Sequence, residues 1–231
     1  MSASVEATEG TAAEEDKPFL LTYPNLDDPH GKVVLSNEHV VLQRLYVPAG
    51  EWEGVHSHPG NQIYIHIVGG EWTGKLGEDI EYWKELSPTG EVGWLDAIPM
   101  EVEHNSGNTG DNPIDLIYVT LKSDSPIAPH VDHELPRYPE LPLHLELENP
   151  RVIVQRGLLE PGQWSGSHAR SGYQLRVIIK GGHWSEQSSP GDEGMTIVLD
   201  PGAAEWLDAT EHANFGNMGN TTIEFILVTI K

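Results

Sequence analysis

An all-β chain folded as two tandem barrels is the architecture that the sequence predicts, on three observations. Segments of the first half return in the second half in the same order. Apolar residues come in short runs rich in Val, Ile, Tyr and Thr, bounded by Gly, Pro, Asp and Asn. No stretch holds the 3.6-residue period of an amphipathic helix.

The repeat organises everything else. Gly50, His56, Gln62, Gly69, Trp72 and the run WLDA at 94–97 return as Gly162, His168, Gln174, Gly181, Trp184 and WLDA at 206–209, each 112 positions later. Asn108, Gly110, Val119, Thr120 and Lys122 return as Asn217, Gly219, Val228, Thr229 and Lys231, at an offset of 109. So regular a register, carried by residues as rare as tryptophan, marks a duplication in which the second copy lacks three residues.

Four segments follow from it. Residues 1–18 begin MSASVEATEGTAAEED, with neither a basic block nor an apolar one, and read as a disordered acidic tail rather than a secretory leader. Residues 19–122 make the N-terminal barrel. In residues 123–144, Pro126, Pro129, Pro136, Pro139 and Pro142 oppose regular structure, so this is a linker, and its His130, His133 and His144 read as solvated. Residues 145–231 make the C-terminal barrel. Inside the first barrel, Gln62, Tyr64 and His66 alternate with Ile63, Ile65 and Ile67, a period of two that sends the sets to opposite faces of one strand. One face lines the pocket. The isoleucine face packs on another sheet, from the second domain or another subunit, and for that reason a homodimer is expected.

Charge narrows the partners. With 36 Asp plus Glu against 13 Lys plus Arg, the formal net charge is -23, a surface that repels nucleic-acid phosphates and anionic lipid. No apolar run approaches the roughly 20 residues of a membrane span. Neither nucleic acid nor membrane is therefore an expected partner, and the cytoplasm is the expected location. The acidity also fits a proteome adapted to high salt. Cysteine is absent, which removes disulfides and thiol chemistry.

The first copy reads Gly50-x5-His56-x-His58-x3-Gln62-x6-Gly69 and then Gly93-x5-Pro99-x4-His104-x3-Asn108. This resembles the two motifs of the cupin superfamily, with Gln62 in place of the usual glutamate and Glu101 in place of a usual glycine. The resemblance spans about residues 35–122 and, more weakly, 145–231, and it implies a bicupin: two double-stranded β-helix, or jelly-roll, barrels with metal ligands pointing inward. By it, His56, His58, Gln62 and His104 hold one divalent transition metal per chain, with Mn, Fe, Ni and Zn all open. Residue chemistry agrees. His56 and His58, two apart on a strand, share a face, and imidazole suits these ions while leaving positions for substrate. Gln62 in place of glutamate removes a negative charge, which leaves the ion a stronger Lewis acid and weakens its binding. Three histidines and a glutamine, within the run HSHPGNQ, are similar to the set in bacterial cupin hydroxynitrile lyases, which are manganese enzymes.

Tyr64 and His66 continue the Gln62 face and are the candidate catalytic residues, to orient a ligand or exchange a proton with substrate; a structural role is the alternative. Trp52, Trp94 and Glu101 flank the motifs, and Trp94 is expected to pack, since its counterpart Trp206 persists. The second copy carries Arg170 where His58 stands and Ala213 where His104 stands, with His212 one residue off register. Arginine does not ligate cations, so the second barrel is expected to be metal-free, with Arg170 paired to a local acid. The functional reading is a metal-dependent enzyme, of dioxygenase, lyase or isomerase type, acting on a small oxygenated organic molecule. The alternatives are a ligand-binding or regulatory cupin and a structural bicupin.

Overall fold

The computed structural model describes residues 14–76, 83–123 and 137–231. The chain divides into two compact units, Met1–Asp124 and Ser125–Lys231, and every strand pairing in both is antiparallel.

In the first unit the strands are β1 (Lys32–Ser36), β2 (Val40–Val47), β3 (Gln62–Val68), β4 (Gly70–Leu76), β5 (Trp83–Ser87), β6 (Val92–Leu95), β7 (His104–Asn108) and β8 (Ile114–Leu121). They form a five-stranded sheet in the order β1-β2-β8-β3-β6 and a three-stranded sheet in the order β5-β4-β7. The alternation expected in β3 is borne out by its two faces. Inward from the large sheet, Leu45, Val47, Ile114, Leu116 and Tyr118 join Leu21, Tyr23 and Leu26 in one core, with Trp72 of the small sheet against them. On the opposite face Ile63, Ile65 and Ile67 are also buried.

The second unit contains β9 (Leu143–Glu148), β10 (Val152–Leu159), β11 (His168–Arg170), β12 (Gln174–Lys180), β13 (Gly182–Gln187), β14 (Met195–Leu199), β15 (Ala204–Leu207), β16 (Thr210–Asn217) and β17 (Ile223–Ile230). Its sheets run β15-β12-β17-β10-β9 and β11-β16-β13-β14. Register carries the duplication into space. Val40 pairs with Leu121 and, in the second unit, Val152 pairs with Ile230, at the offsets of 112 and 109. The three residues separating those offsets are accounted for between Ala97 and His104. There the first copy inserts a short 3-10 turn, Met100–Val102, and reaches His104 through a left-handed Glu103, whereas the second continues directly into β16.

Two boundary expectations are corrected. The tail expected over residues 1–18 is ordered at its end: Glu14–Phe19 is a 3-10 helix, and the buried Asp16 accepts a hydrogen bond from Ser36 Oγ and pairs with Lys122 Nζ. Composition missed this because a single buried ion pair anchors the segment, and its lysine comes from the far end of the barrel sequence. Residues 1–13 lie outside the described residues. The linker expected over 123–144 likewise ends early. Tyr138 and Leu141 are buried in the second core, and β9 begins at Leu143. His144 is exposed on that strand, while His130 and His133 lie outside the described residues. No helix among the described residues is long and apolar enough to cross a membrane.

Candidate metal centre

His56 precedes β3 in an extended segment that pairs with β7, its N–H donating to the carbonyl of His104 at 3.0 Å. His58 is tied in the same way to Ile98. These two ties bring residues from both motifs to one place. His56, His58 and His104 are all buried, and one ligand nitrogen from each lies within 4.8 Å of the others. Ring centroids are 5.0, 4.7 and 5.2 Å apart for the three pairs.

The tautomers follow from the partners. His56 Nδ1 donates to the Gly54 carbonyl at 2.9 Å, which Gly54 can present because its φ of 85° is open to glycine. His58 Nδ1 donates to Gln62 Oε1 at 3.1 Å, and Gln62 Nε2 in turn donates to Thr120 Oγ1 at 2.8 Å. Each ring therefore keeps its proton on Nδ1 and presents a lone pair on Nε2. The two Nε2 atoms stand 3.2 Å apart. Two acceptors at that distance in a buried site repel unless a cation lies between them. Burial also pushes the imidazoles of His56 and His58 down to about 3 and about 4, and lowers that of His104. All three are neutral at neutral pH, the form in which imidazole ligates metals. The donor set fits a divalent transition metal.

The other expected site residues are placed differently. Gln62 reaches the cluster through His58, its amide oxygen committed to Nδ1 rather than aimed at the three-nitrogen centre. Tyr64 and His66 do share the Gln62 face, but their ring contacts are with each other at 5.7 Å and, for His66, with Trp72 at 6.1 Å. The reason is strand geometry: each second residue moves about 7 Å along the strand, so a common face is not a common site. Two tyrosines that sequence reasoning missed take the nearer places. Tyr23 sets its ring edge against His56 at 4.5 Å, and Tyr118 lies 5.8 Å from His58. Both phenols are pushed up by burial, with the Glu53 carboxylate adding to the effect. Glu53 itself, 1% exposed, accepts from Ser106 Oγ and is pushed up to about 8 by burial. Of the flanking residues, Glu101 is exposed in the 3-10 turn. Trp94 Nε1 donates to Asp96, as Trp206 does to Asp208, which accounts for the repeated WLDA run. Trp52 covers Gly107.

No protein-family model and no curated protein matches the chain. Solved structures do. AerE from Microcystis aeruginosa is 15% identical with a TM-score of 0.64, over 93% of this chain and 99% of that one. An oxalate decarboxylase from Lactobacillus farciminis, in a formate complex, is 11% identical with a TM-score of 0.57, over 95% and 87%. A cupin 2 conserved barrel domain protein from Leptotrichia buccalis is 14% identical with a TM-score of 0.52, over 86% and 87%. The fold is that of the cupins.

Within this chain the second barrel serves as an internal control. Its His168 keeps the Nδ1 bond to a glycine carbonyl, Gly166, at 2.8 Å, and Ala213 pairs with it where His104 pairs with His56. His212 turns away to Ser167 Oγ. Arg170 Nε donates to the backbone carbonyl of Asp208 at 2.7 Å, not to the side-chain acid expected. The lining changes as well: Phe215 replaces Ser106, Leu227 replaces Tyr118, and the buried Arg176 replaces Tyr64, stacked 4.0 Å from Trp184 and paired with Glu186 and Glu205. Gln174 still donates to Thr229, as Gln62 does to Thr120. Positions where a charged or hydroxyl-bearing aromatic side chain of the first copy gives way to a smaller or apolar one mark the site, and that comparison could have flagged Glu53, which becomes Ser165, and Tyr118, which becomes Leu227. Tyr23 carried its own signal: Tyr23-Pro-Asn-Leu returns as Tyr138-Pro-Glu-Leu, and in both turns the Leu N–H bonds the Tyr carbonyl.

Proposed function

We propose that the N-terminal barrel is the active half of a metal-dependent cupin enzyme that acts on a small oxygenated organic molecule, with His56, His58 and His104 holding one divalent transition metal. The observation that carries this reading is the pair of facing Nε2 lone pairs, fixed by hydrogen bonds at both Nδ1 atoms. Bound there, such an ion would supply Lewis-acid polarisation of a substrate oxygen or, if redox-active, electrons.

The chain's own residues supply the rest. Gly54 and Gln62 lock the two rings in their ligating orientation. The buried phenols of Tyr23 and Tyr118 remain protonated across the physiological range, so they act as hydrogen-bond donors to an oxygen entering the pocket. Leu21, Leu26 and Leu45 in the same core keep the surroundings dry, which strengthens those bonds. Manganese or iron chemistry of lyase, isomerase or dioxygenase type suits this set. Relatives in fold include an oxalate decarboxylase, and the run HSHPGNQ favours a lyase among these.

Metal content of protein purified without chelator tests the reading. Near one equivalent per chain is expected, absent in His104→Ala and kept in His168→Ala. Turnover of the metal-loaded protein is then followed on a panel of hydroxy acids, phenols and cyanohydrins, with oxygen consumption recorded. Failure to bind metal at saturation sinks the proposal; binding without turnover of any substrate favours a ligand-binding cupin.

A further inference from the structure

His168 and Gln174 are held in the second barrel as their counterparts are held in the first. His168 Nδ1 donates to the Gly166 carbonyl at 2.8 Å, as His56 Nδ1 does to Gly54, and Gln174 Nε2 donates to Thr229 Oγ1 at 3.2 Å, as Gln62 Nε2 does to Thr120. Burial lowers the His168 imidazole, so at neutral pH the ring is neutral and presents Nε2 as an acceptor. The first barrel shows what such a pair of groups can face. One imidazole, that of His58, lies 3.2 Å from His56 Nε2 and donates from Nδ1 to Gln62 Oε1. A single small ring spans the two.

Among the described residues of the second barrel no side chain does so. Arg170 stands at the His58 position, but its hydrogen bond runs from Nε to the Asp208 carbonyl, and Ala213 at the His104 position carries no polar side-chain atom. His168 Nε2 and Gln174 Oε1 are therefore buried acceptors without a hydrogen-bond partner, and the buried donor Arg176 Nη1 has none either. Gln174 and Arg176, alternate residues on one face of β12, are only 4% and 3% exposed. Buried polar groups are almost always satisfied, and apolar replacements would remove the need, yet the second copy keeps its His and Gln. Rings wall the same space: Tyr138 lies 4.2 Å from the His168 ring and Phe215 lies 5.8 Å from it. The charged groups acting on Arg170 are Arg176, Glu186 and Glu205, so two cations meet two carboxylates and the surroundings are balanced.

We propose that the second barrel is a binding site for a small neutral molecule of the vicinal-diol or polyol class, whose hydroxyls donate to His168 Nε2 and Gln174 Oε1 while one of its oxygens accepts from Arg176 Nη1. A vicinal diol spaces its two oxygens much as imidazole spaces its two nitrogens. A carboxylate brings no hydrogen for either acceptor, and an ammonium would stand beside Arg176. This site is independent of the metal centre in the first barrel.

Saturation-transfer NMR on the full chain, kept in chelator so that no metal is bound, tests it with ethylene glycol, glycerol and erythritol as probes and with acetate and methylammonium as charged controls. The polyols should bind and the controls should not. Arg170→His restores the ring that spans the equivalent acceptors in the first barrel, and should weaken the polyols by more than about 10-fold; Gln174→Leu should weaken them by about 10-fold, the scale of one hydrogen bond. Arg170→Ala, which removes the guanidinium without supplying a ring, and Gln62→Leu in the first barrel should both stay within about 3-fold of wild type. Silence from all three polyols overturns the site, and so do equal losses in Arg170→His and Arg170→Ala or an undiminished affinity in Gln174→Leu. Acetate binding in place of the polyols overturns the ligand class.

Discussion

His56 Nε2 faces His58 Nε2 across 3.2 Å, each ring holding its proton on the far side. The apo barrel therefore contains a built-in repulsion that a cation converts into attraction. Metal should stabilise the fold. At a free concentration of 100 times its Kd, linkage gives about 2.7 kcal/mol, read as a rise in Tm. The rise should vanish in His56→Ala and persist in His168→Ala.

The same burial makes apo stability depend on pH from both sides. His56, His58 and His66 titrate at about 3, 4 and 4 in the fold, against 6.5 for the free side chain. The unfolded chain thus binds protons first as pH falls, and the stability these groups contribute, complete above about 6.5, is lost toward pH 4. Glu53 has the opposite sign. Its folded value of about 8 exceeds that of an exposed glutamate, so its contribution is complete below about 4.5 and is lost as pH rises through 8. Denaturant titrations of the apo protein from pH 4.5 to 9 should show maximum stability near neutrality. Glu53→Gln should flatten the alkaline limb, and His66→Leu should soften the acid limb.

Gln62 joins His58 to Thr120. In Gln62→Leu, His58 Nδ1 and Thr120 Oγ1 lose their partner in a buried setting, at a cost of about 1–3 kcal/mol, and Mn2+ affinity should fall about 10–100-fold because His58 is no longer oriented. Gln174→Leu should cost less stability and leave Mn2+ binding unchanged. Equal effects of the two substitutions on Mn2+ affinity would count against the orienting role.

Gly107 accepts no side chain. A Cβ there would lie 2.5 Å from Trp52 Cδ2, and at Gly216 the same holds for Trp164. Gly107→Ala and Gly216→Ala should each cost about 1–3 kcal/mol through displaced rings, measured by chemical denaturation. An undiminished midpoint in either would show that the tryptophan moves aside freely.

The legible parts of this molecule were those written as patterns. Gly, Trp and His at fixed offsets revealed the duplication, and the alternation of Gln62–Val68 gave the strand and its faces. The spacing of His56, His58 and His104 announced a cluster that the structure brings together. Depth along a face was not legible, and so Tyr64 and His66 were expected in a site that they border only through other rings. The isoleucines of β3 left the second domain and another subunit both open as the source of the covering sheet, because sequence reports apolarity and not what covers it.

Sequence by itself determined the two all-β barrels, the asymmetry between them and the three imidazoles, because each depends on residue type at short, regular spacing. Tertiary structure alone decided that Glu53 and Tyr23 stand beside His56, that Tyr118 stands beside His58, that Gln62 serves His58, and that Lys122 anchors Asp16. Those relationships join residues brought close only when the sheets close around a common interior, and no local period encodes where a closed barrel places its second wall.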